Sequence, residues 1–176
     1  TDAGGVTSAV EIYNPSGGAS TARASLSAPR RFHSLVVQTG DRLWVAGGET
    51  TGGTILASSE FYDPSVNQWI STGALLSPRA GHATVNLGSG ALLLAGGWNS
   101  SPVLATSERY DSASGIWKQG WLANGRANHT ATLLPSGRVL VAGGTGGGSS
   151  AAILDLGTGV WSPTGSMATA REYHTA

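Results

Sequence analysis

Four copies of one short pattern, Arg-x-x-His, recur along the chain at Arg30–His33, Arg79–His82, Arg126–His129 and Arg171–His174. The histidines lie 49, 47 and 45 residues apart, and all 4 histidines of the chain belong to the pattern. A period of this size means one supersecondary unit stacked on copies of itself, because a lone unit cannot bury its apolar face. Three further landmarks keep phase with it. Glycine pairs at Gly47-Gly48, Gly96-Gly97 and Gly143-Gly144 each close an apolar run, and another pair stands at Gly4-Gly5. A Glu-x-Tyr-Asp-like element follows at Glu11–Asn14, Glu60–Asp63 and Glu108–Asp111, and has decayed to Ala152-Ile153-Leu154-Asp155 in the last copy. A tryptophan comes shortly after that element, at Trp69, Trp117 and Trp161; the first copy lacks it.

Within one period the residues alternate between β-forming runs and turn chemistry. In the second full period the runs are His82 to Leu87, Ala91 to Ala95, Thr106 to Tyr110 and Gly115 to Lys118. Gly88-Ser89-Gly90 and Pro135-Ser136-Gly137 read as tight turns between the first two strands. Asp63-Pro64 and Asp111–Gly115 read as turns between the third and fourth. No segment carries a helical period over three turns. Paired glycines at a strand end suit a close approach of neighbouring backbone, where a Cβ would clash. The tryptophan and tyrosine of each unit are expected to pack between adjacent sheets.

A double Gly, a Tyr and a Trp in phase over about 48 residues resemble the kelch repeat. The stretch Asn128–Gly144 looks much like bacterial-style kelch repeats. The resemblance covers nearly the whole chain and implies an all-β fold: a β-propeller of four-stranded antiparallel blades, about three and a half of them in this chain. The expected divisions are a half blade over 1–26, blades over 27–75, 76–122 and 123–167, and a first-strand stub over 168–176. A sector with two open edges exposes unpaired backbone and apolar faces. Three arrangements answer this: further blades in a longer six- to eight-bladed chain, self-association of several copies, or a strained four-blade ring. A start without Met and a stop within a strand favour the first.

Composition narrows the function classes. Only 11% of residues are charged and the formal net charge is zero, so neither disorder nor a nucleic-acid footprint is indicated. There is no cysteine, hence no disulfide framework and no thiolate metal site. The longest apolar runs, such as Ala91–Ala95, are strand-sized and far short of a membrane span.

The resemblance carries a site expectation as well. In kelch domains the repeated arginine lies in the loop leading into the innermost strand, and some such arginines contact acidic peptides. By that likeness Arg30, Arg79, Arg126 and Arg171 form an arc of positive charge suited to a carboxylate-bearing ligand. Recurrence in every copy favours another role, in which each guanidinium bonds loop carbonyls or a glutamate of its own or the next blade. Glu11, Glu60 and Glu108 recur in the same register and are the natural partners. The histidines read as loop-fixing groups bonding backbone within their own blade, since one per blade spreads them too widely to share a metal. No cofactor is indicated. Kelch-bearing galactose oxidases need a cysteine cross-linked to tyrosine, which these residues cannot provide. Sialidases share the propeller shape, but the boxes that mark their blades are absent here.

What varies between copies is the loop between the second and third strands: Glu49 to Ser59, Trp98 to Ser107, Thr145 to Ala151. Variable loops on a fixed scaffold carry specificity. Trp98, followed by Asn99, is the one tryptophan placed just beyond a glycine pair, and Arg79 belongs to the same blade. An exposed Trp98 suits a sugar or peptide face; packing against the next blade is an equal alternative. The sequence thus reads as a non-catalytic binding or scaffolding module for a protein or glycan ligand. The alternative is part of a larger oxidase- or glycan-active enzyme whose catalytic residues lie outside this chain.

Overall fold

The computed structural model describes residues 5–100 and 103–176, so Gly4 of the first glycine pair and residues 101–102 of the Trp98–Ser107 loop lie outside the described residues. Every described element is a strand, and all pairing is antiparallel. A hairpin of β1 (Val10–Asn14) and β2 (Ala19–Arg23) comes first. Three four-stranded meanders follow, each with its strands in chain order. The first sheet holds β3 (Ser34–Val37), β4 (Leu43–Ala46), β5 (Ser59–Asp63) and β6 (Gln68–Ser71). The second holds β7 (Ala83–Gly88), β8 (Ala91–Ala95), β9 (Thr106–Asp111) and β10 (Ile116–Trp121). The third holds β11 (Thr130–Leu133), β12 (Val139–Ala142), β13 (Ala151–Asp155) and β14 (Val160–Thr164). The expected strands of the second period match these bounds within three residues. His174–Ala176, expected to begin a strand, forms none. A strand needs a partner for its backbone groups, and none lies beside this segment among the described residues.

The first strands, β3, β7 and β11, lie side by side, and the sheets fan outward from them. Cores form between consecutive sheets. β8 shows how. Leu92 and Leu94 face the first sheet and join Trp44, Ala46, Leu75, Tyr110 and Trp117. Leu93 and Ala95 face the third and join Val139, Val141, Ala152, Leu154 and Trp161. A strand with both faces covered reads as an unbroken apolar run, which is why Ala91–Ala95 does not alternate. Each of its leucines contributes about 2 kcal/mol on burial. In the first sheet β4 is buried on both faces, with Trp44 6% and Val45 2% exposed, while Leu35 and Val37 of β3 are 55% and 60% exposed.

Aromatic residues join the sheets as expected. The Trp44 and Tyr110 rings are 4.7 Å apart across the first core. Trp69 and Trp117 donate their indole N–H to the carbonyls of Ala24 and Gly73, in the segments leading from the preceding unit. The glycine pairs receive the next unit's Arg-x-x-His segment. Gly48 N–H donates to the Arg79 carbonyl at 2.9 Å, and Gly97 and Gly144 donate likewise to Arg126 and Arg171 at 2.8 Å. A Cβ on Gly47 would stand 2.3 Å from the Arg79 oxygen, so the junction is closed to any side chain there. The repeat period is therefore the period of this inter-sheet clasp.

Candidate functional site

The clasp decides what the repeated polar residues do. Arg30 donates to the Gly47 carbonyl at 2.8 Å and to Glu60 at 2.7 Å. Arg79 repeats this with Gly96 at 2.8 Å and Glu108 at 2.5 Å. Arg126 reaches Gly143 and Ser150. These three arginines are 3%, 0% and 1% exposed. The expected arc of surface guanidiniums is therefore corrected: Arg30, Arg79 and Arg126 tie the start of each sheet to its second and third strands. Desolvation drives this, because a guanidinium enclosed by two sheets needs carbonyl and carboxylate acceptors at hand. Arg79 is accordingly no polar partner for a ligand at Trp98. Arg171 alone of the four lies exposed.

Two of the histidines, His82 and His174, bond across the junction. His82 Nε2 meets the Ser34 hydroxyl at 2.9 Å, and His174 Nε2 meets that of Thr130 at 3.2 Å. Between them, His129 Nε2 has no partner, because Ala83 stands where Ser34 and Thr130 stand. Burial, then the nearby Arg79, His129 and His33 charges, push the His82 imidazole down to about 3. Burial, Arg126 and His174 do the same to His129. Both rings are neutral wedges near pH 7. No group of three or more His, Asp or Glu among the described residues is placed to hold a metal.

What reaches solvent is the third residue of each Arg-x-x-His pattern. Phe32, Gly81, Asn128 and Tyr173 all have left-handed backbone, with φ of 54°, 60°, 53° and 53°. They are linked in series: Gly81 N–H donates to the Phe32 carbonyl, Asn128 to Gly81 and Tyr173 to Asn128, at 2.8–2.9 Å. Each unit thus adds one residue to a continuous rim. Phe32 and Tyr173 are 45% and 70% exposed. Gly81 leaves a gap that Trp98 fills, for a Cβ on Gly81 would lie 1.7 Å from the indole ring. Trp98 packs edge-on against Phe32 of the preceding unit, with centroids 5.3 Å apart, and remains half-buried. Asn99 next to it is half-buried too, touching Ser100.

Polar groups flank these rings. Arg31 pairs with Glu49 at 2.7 Å, and its guanidinium lies 5.3 Å from the Phe32 centroid. The Thr145 hydroxyl donates to Glu172. A cleft of about 320 Å³ there is lined by Thr145, Gly146, Arg171 and Glu172. Glu49, Trp98 and Thr145 hold equivalent places, each bridging to the residue after the repeated arginine. Phe32, Asn128 and Tyr173 escaped the sequence reading. The signal for them was variation inside an otherwise constant motif. A slightly larger cleft, about 360 Å³ beside Arg109, Asp111 and Lys118, lies at the other end of β8 and β9. There Lys118 and Asp111 already pair at 2.8 Å, and Arg109 is the remaining charged group.

The fold and its rim define an all-β, repeated-sheet protein of β-propeller-like architecture. No protein-family profile matches the chain, and no curated protein does. Among solved structures the chain is similar to that of YjhT, with a TM-score of 0.79 at 16% identity, over 94% of this chain and 64% of that one. The likeness is one of fold, and this chain spans less than two thirds of YjhT's length.

Proposed function

We propose that the chain is a sector of a kelch-type β-propeller that serves as a non-catalytic binding module, taking a glycan or protein ligand on the rim at Phe32, Trp98, Asn128 and Tyr173. One observation carries the reading. Two bulky aromatics, Phe32 and Tyr173, are held exposed at positive φ, a conformation that costs a non-glycine residue about 1–2 kcal/mol. The backbone link does not call for them, since Gly81 and Asn128 serve it equally. Aromatic faces beside an amide, a hydroxyl and carboxylates suit a sugar ring, whose C–H face stacks while its hydroxyls find partners.

The test is Phe32→Asn, which copies the residue the third unit already uses. The variant is expected to melt no lower than the parent, because Asn tolerates the left-handed region. It should lose capture on a printed glycan array, as should Trp98→Ala. Capture undiminished in Phe32→Asn would place recognition elsewhere. A marked drop in its melting temperature would make Phe32 a structural residue.

A further inference from the structure

A buried guanidinium is matched by a carboxylate in two units and not in the third. In the first, Glu60 accepts from Arg30 Nη2 at 2.7 Å, from the Ser27 hydroxyl at 2.7 Å and from the Ser27 N–H at 3.1 Å. In the second, Glu108 accepts from Arg79 Nη2 at 2.5 Å and from the N–H groups of Leu76 and Ser77 at 2.7 and 3.0 Å. One carboxylate thus joins the guanidinium to the segment just before it.

The third unit keeps everything but that carboxylate. Arg126 Nη1 donates to the carbonyls of Gly143 and Ser150 at 3.0 and 3.1 Å, and Nη2 to the Ser150 hydroxyl at 3.1 Å. The glutamate position is Ala152, itself buried. Arg126 is 1% exposed and forms no ion pair among the described residues; its Nε lacks an acceptor, as do those of Arg30 and Arg79. Ala123 and Asn124 hold the places of Leu76 and Ser77, and their N–H groups donate to no described protein group. For Arg30 and Arg79 the attraction of a glutamate opposes the effect of burial; for Arg126 burial acts alone. Arginine does not shed its proton, so the charge stays and calls for an anion.

We propose that the third unit is a receptor for a small carboxylate anion of formate or acetate size, which replaces the missing glutamate side chain between Arg126 Nη2 and the N–H groups of Ala123 and Asn124. The two filled units set the chemistry: a planar anion whose oxygens take charge-assisted bonds from a guanidinium and from backbone N–H. Ala123 and Asn124 are exposed, so this segment is the wall through which the anion enters.

The experiment is thermal unfolding of the whole chain in formate, acetate or chloride at constant ionic strength, with binding of ¹³C-formate followed by NMR line broadening. Relative to chloride, formate and acetate should raise the melting temperature in proportion to the logarithm of their concentration above Kd, by about 5–10 °C at a hundredfold excess. Ala152→Glu, which supplies the carboxylate internally, should broaden no formate signal and melt alike in formate and chloride. Glu108→Ala should gain a second formate response, because it removes the carboxylate in the second unit as well. Equal melting of the parent in formate and chloride would overturn the proposal, as would an undiminished formate effect in Ala152→Glu. Chloride that displaces ¹³C-formate as effectively as acetate would overturn the carboxylate assignment. Should Ala152→Glu fail to fold, the parent and Glu108→Ala formate titrations decide on their own.

Discussion

Mild acid should destabilise this protein through two histidines that cannot accept a proton while folded. His82 and His129 are wedged between sheets beside Arg79 and Arg126, and burial first, then those guanidinium charges, hold both imidazoles down to about 3. In the unfolded chain each titrates near 6.5. The unfolded state therefore binds more protons between pH 6.5 and about 3, and stability falls as pH falls through that window. Above about pH 7 both states carry neutral imidazoles, and the penalty vanishes. At pH 5 each histidine costs about 2 kcal/mol, from a gap of about 1.5 pH units at about 1.36 kcal/mol per unit. Two histidines then remove about 4 kcal/mol, a large part of the roughly 5–15 kcal/mol that holds a domain folded. His33 is lowered in the same sense, again chiefly by burial, and adds to the loss. The aspartates that are held low keep their contribution at pH 5. Asp111 is held down to about 2 by hydrogen bonds from Lys118, Ser114 and Ala113, and its contribution is lost only in stronger acid. Urea unfolding followed by tryptophan fluorescence at about pH 7.5 and pH 5 measures the effect, with an unchanged m-value as the check on two-state behaviour. His82→Gln and His129→Gln should each remove about 2 kcal/mol of the pH dependence, whatever they do to stability at pH 7.5. Equal midpoints for the parent at the two pH values would refute the reasoning, as would variants that keep the full slope.

Ala83→Ser gives His129 Nε2 the hydroxyl that His82 finds in Ser34 and His174 in Thr130, and should stabilise the chain by about 1 kcal/mol in urea unfolding. No gain would mean the hydroxyl cannot reach. Gly81→Ala drives a methyl into the indole of Trp98 and should shift its fluorescence while abolishing any capture that depends on the rim; an unaltered spectrum would contradict the packing. Glu108→Ala strands the fully buried Arg79 and should cost about 3–5 kcal/mol. The exposed pair Arg31–Glu49 is the control, since Glu49→Ala should cost less than about 1 kcal/mol.

Much of the architecture is legible in the chain alone. The phase of Arg-x-x-His, Gly-Gly, Glu-x-Tyr and Trp marks off each unit. Ala91–Ala95 is β8 residue for residue, because turn glycines bracket an apolar run of strand length. The pairing of Glu60 with Arg30 and of Glu108 with Arg79 follows from two charges repeating in one register. These features are local or periodic, and periodicity survives in a linear string.

The sides on which side chains end up are a different matter, because enclosure is made by residues distant in sequence. The repeated arginines read as surface cations in the chain, yet packed sheets close over Arg30, Arg79 and Arg126. His82 and His174 bond to the preceding sheet because the glycine pair brings its backbone within reach. Trp98 is neither fully exposed nor buried in the next unit. It lies over Gly81, a position free of any Cβ, and reaches Phe32 across the junction. Left-handed backbone at Phe32, Asn128 and Tyr173 turns the least constant position of the motif into the exposed rim, and no propensity of Phe or Tyr announces it. The repeat alone determined the units and their strands; the packing of one unit on the next decided which repeated charges are buried and which variable side chains face outward, because only that contact excludes water.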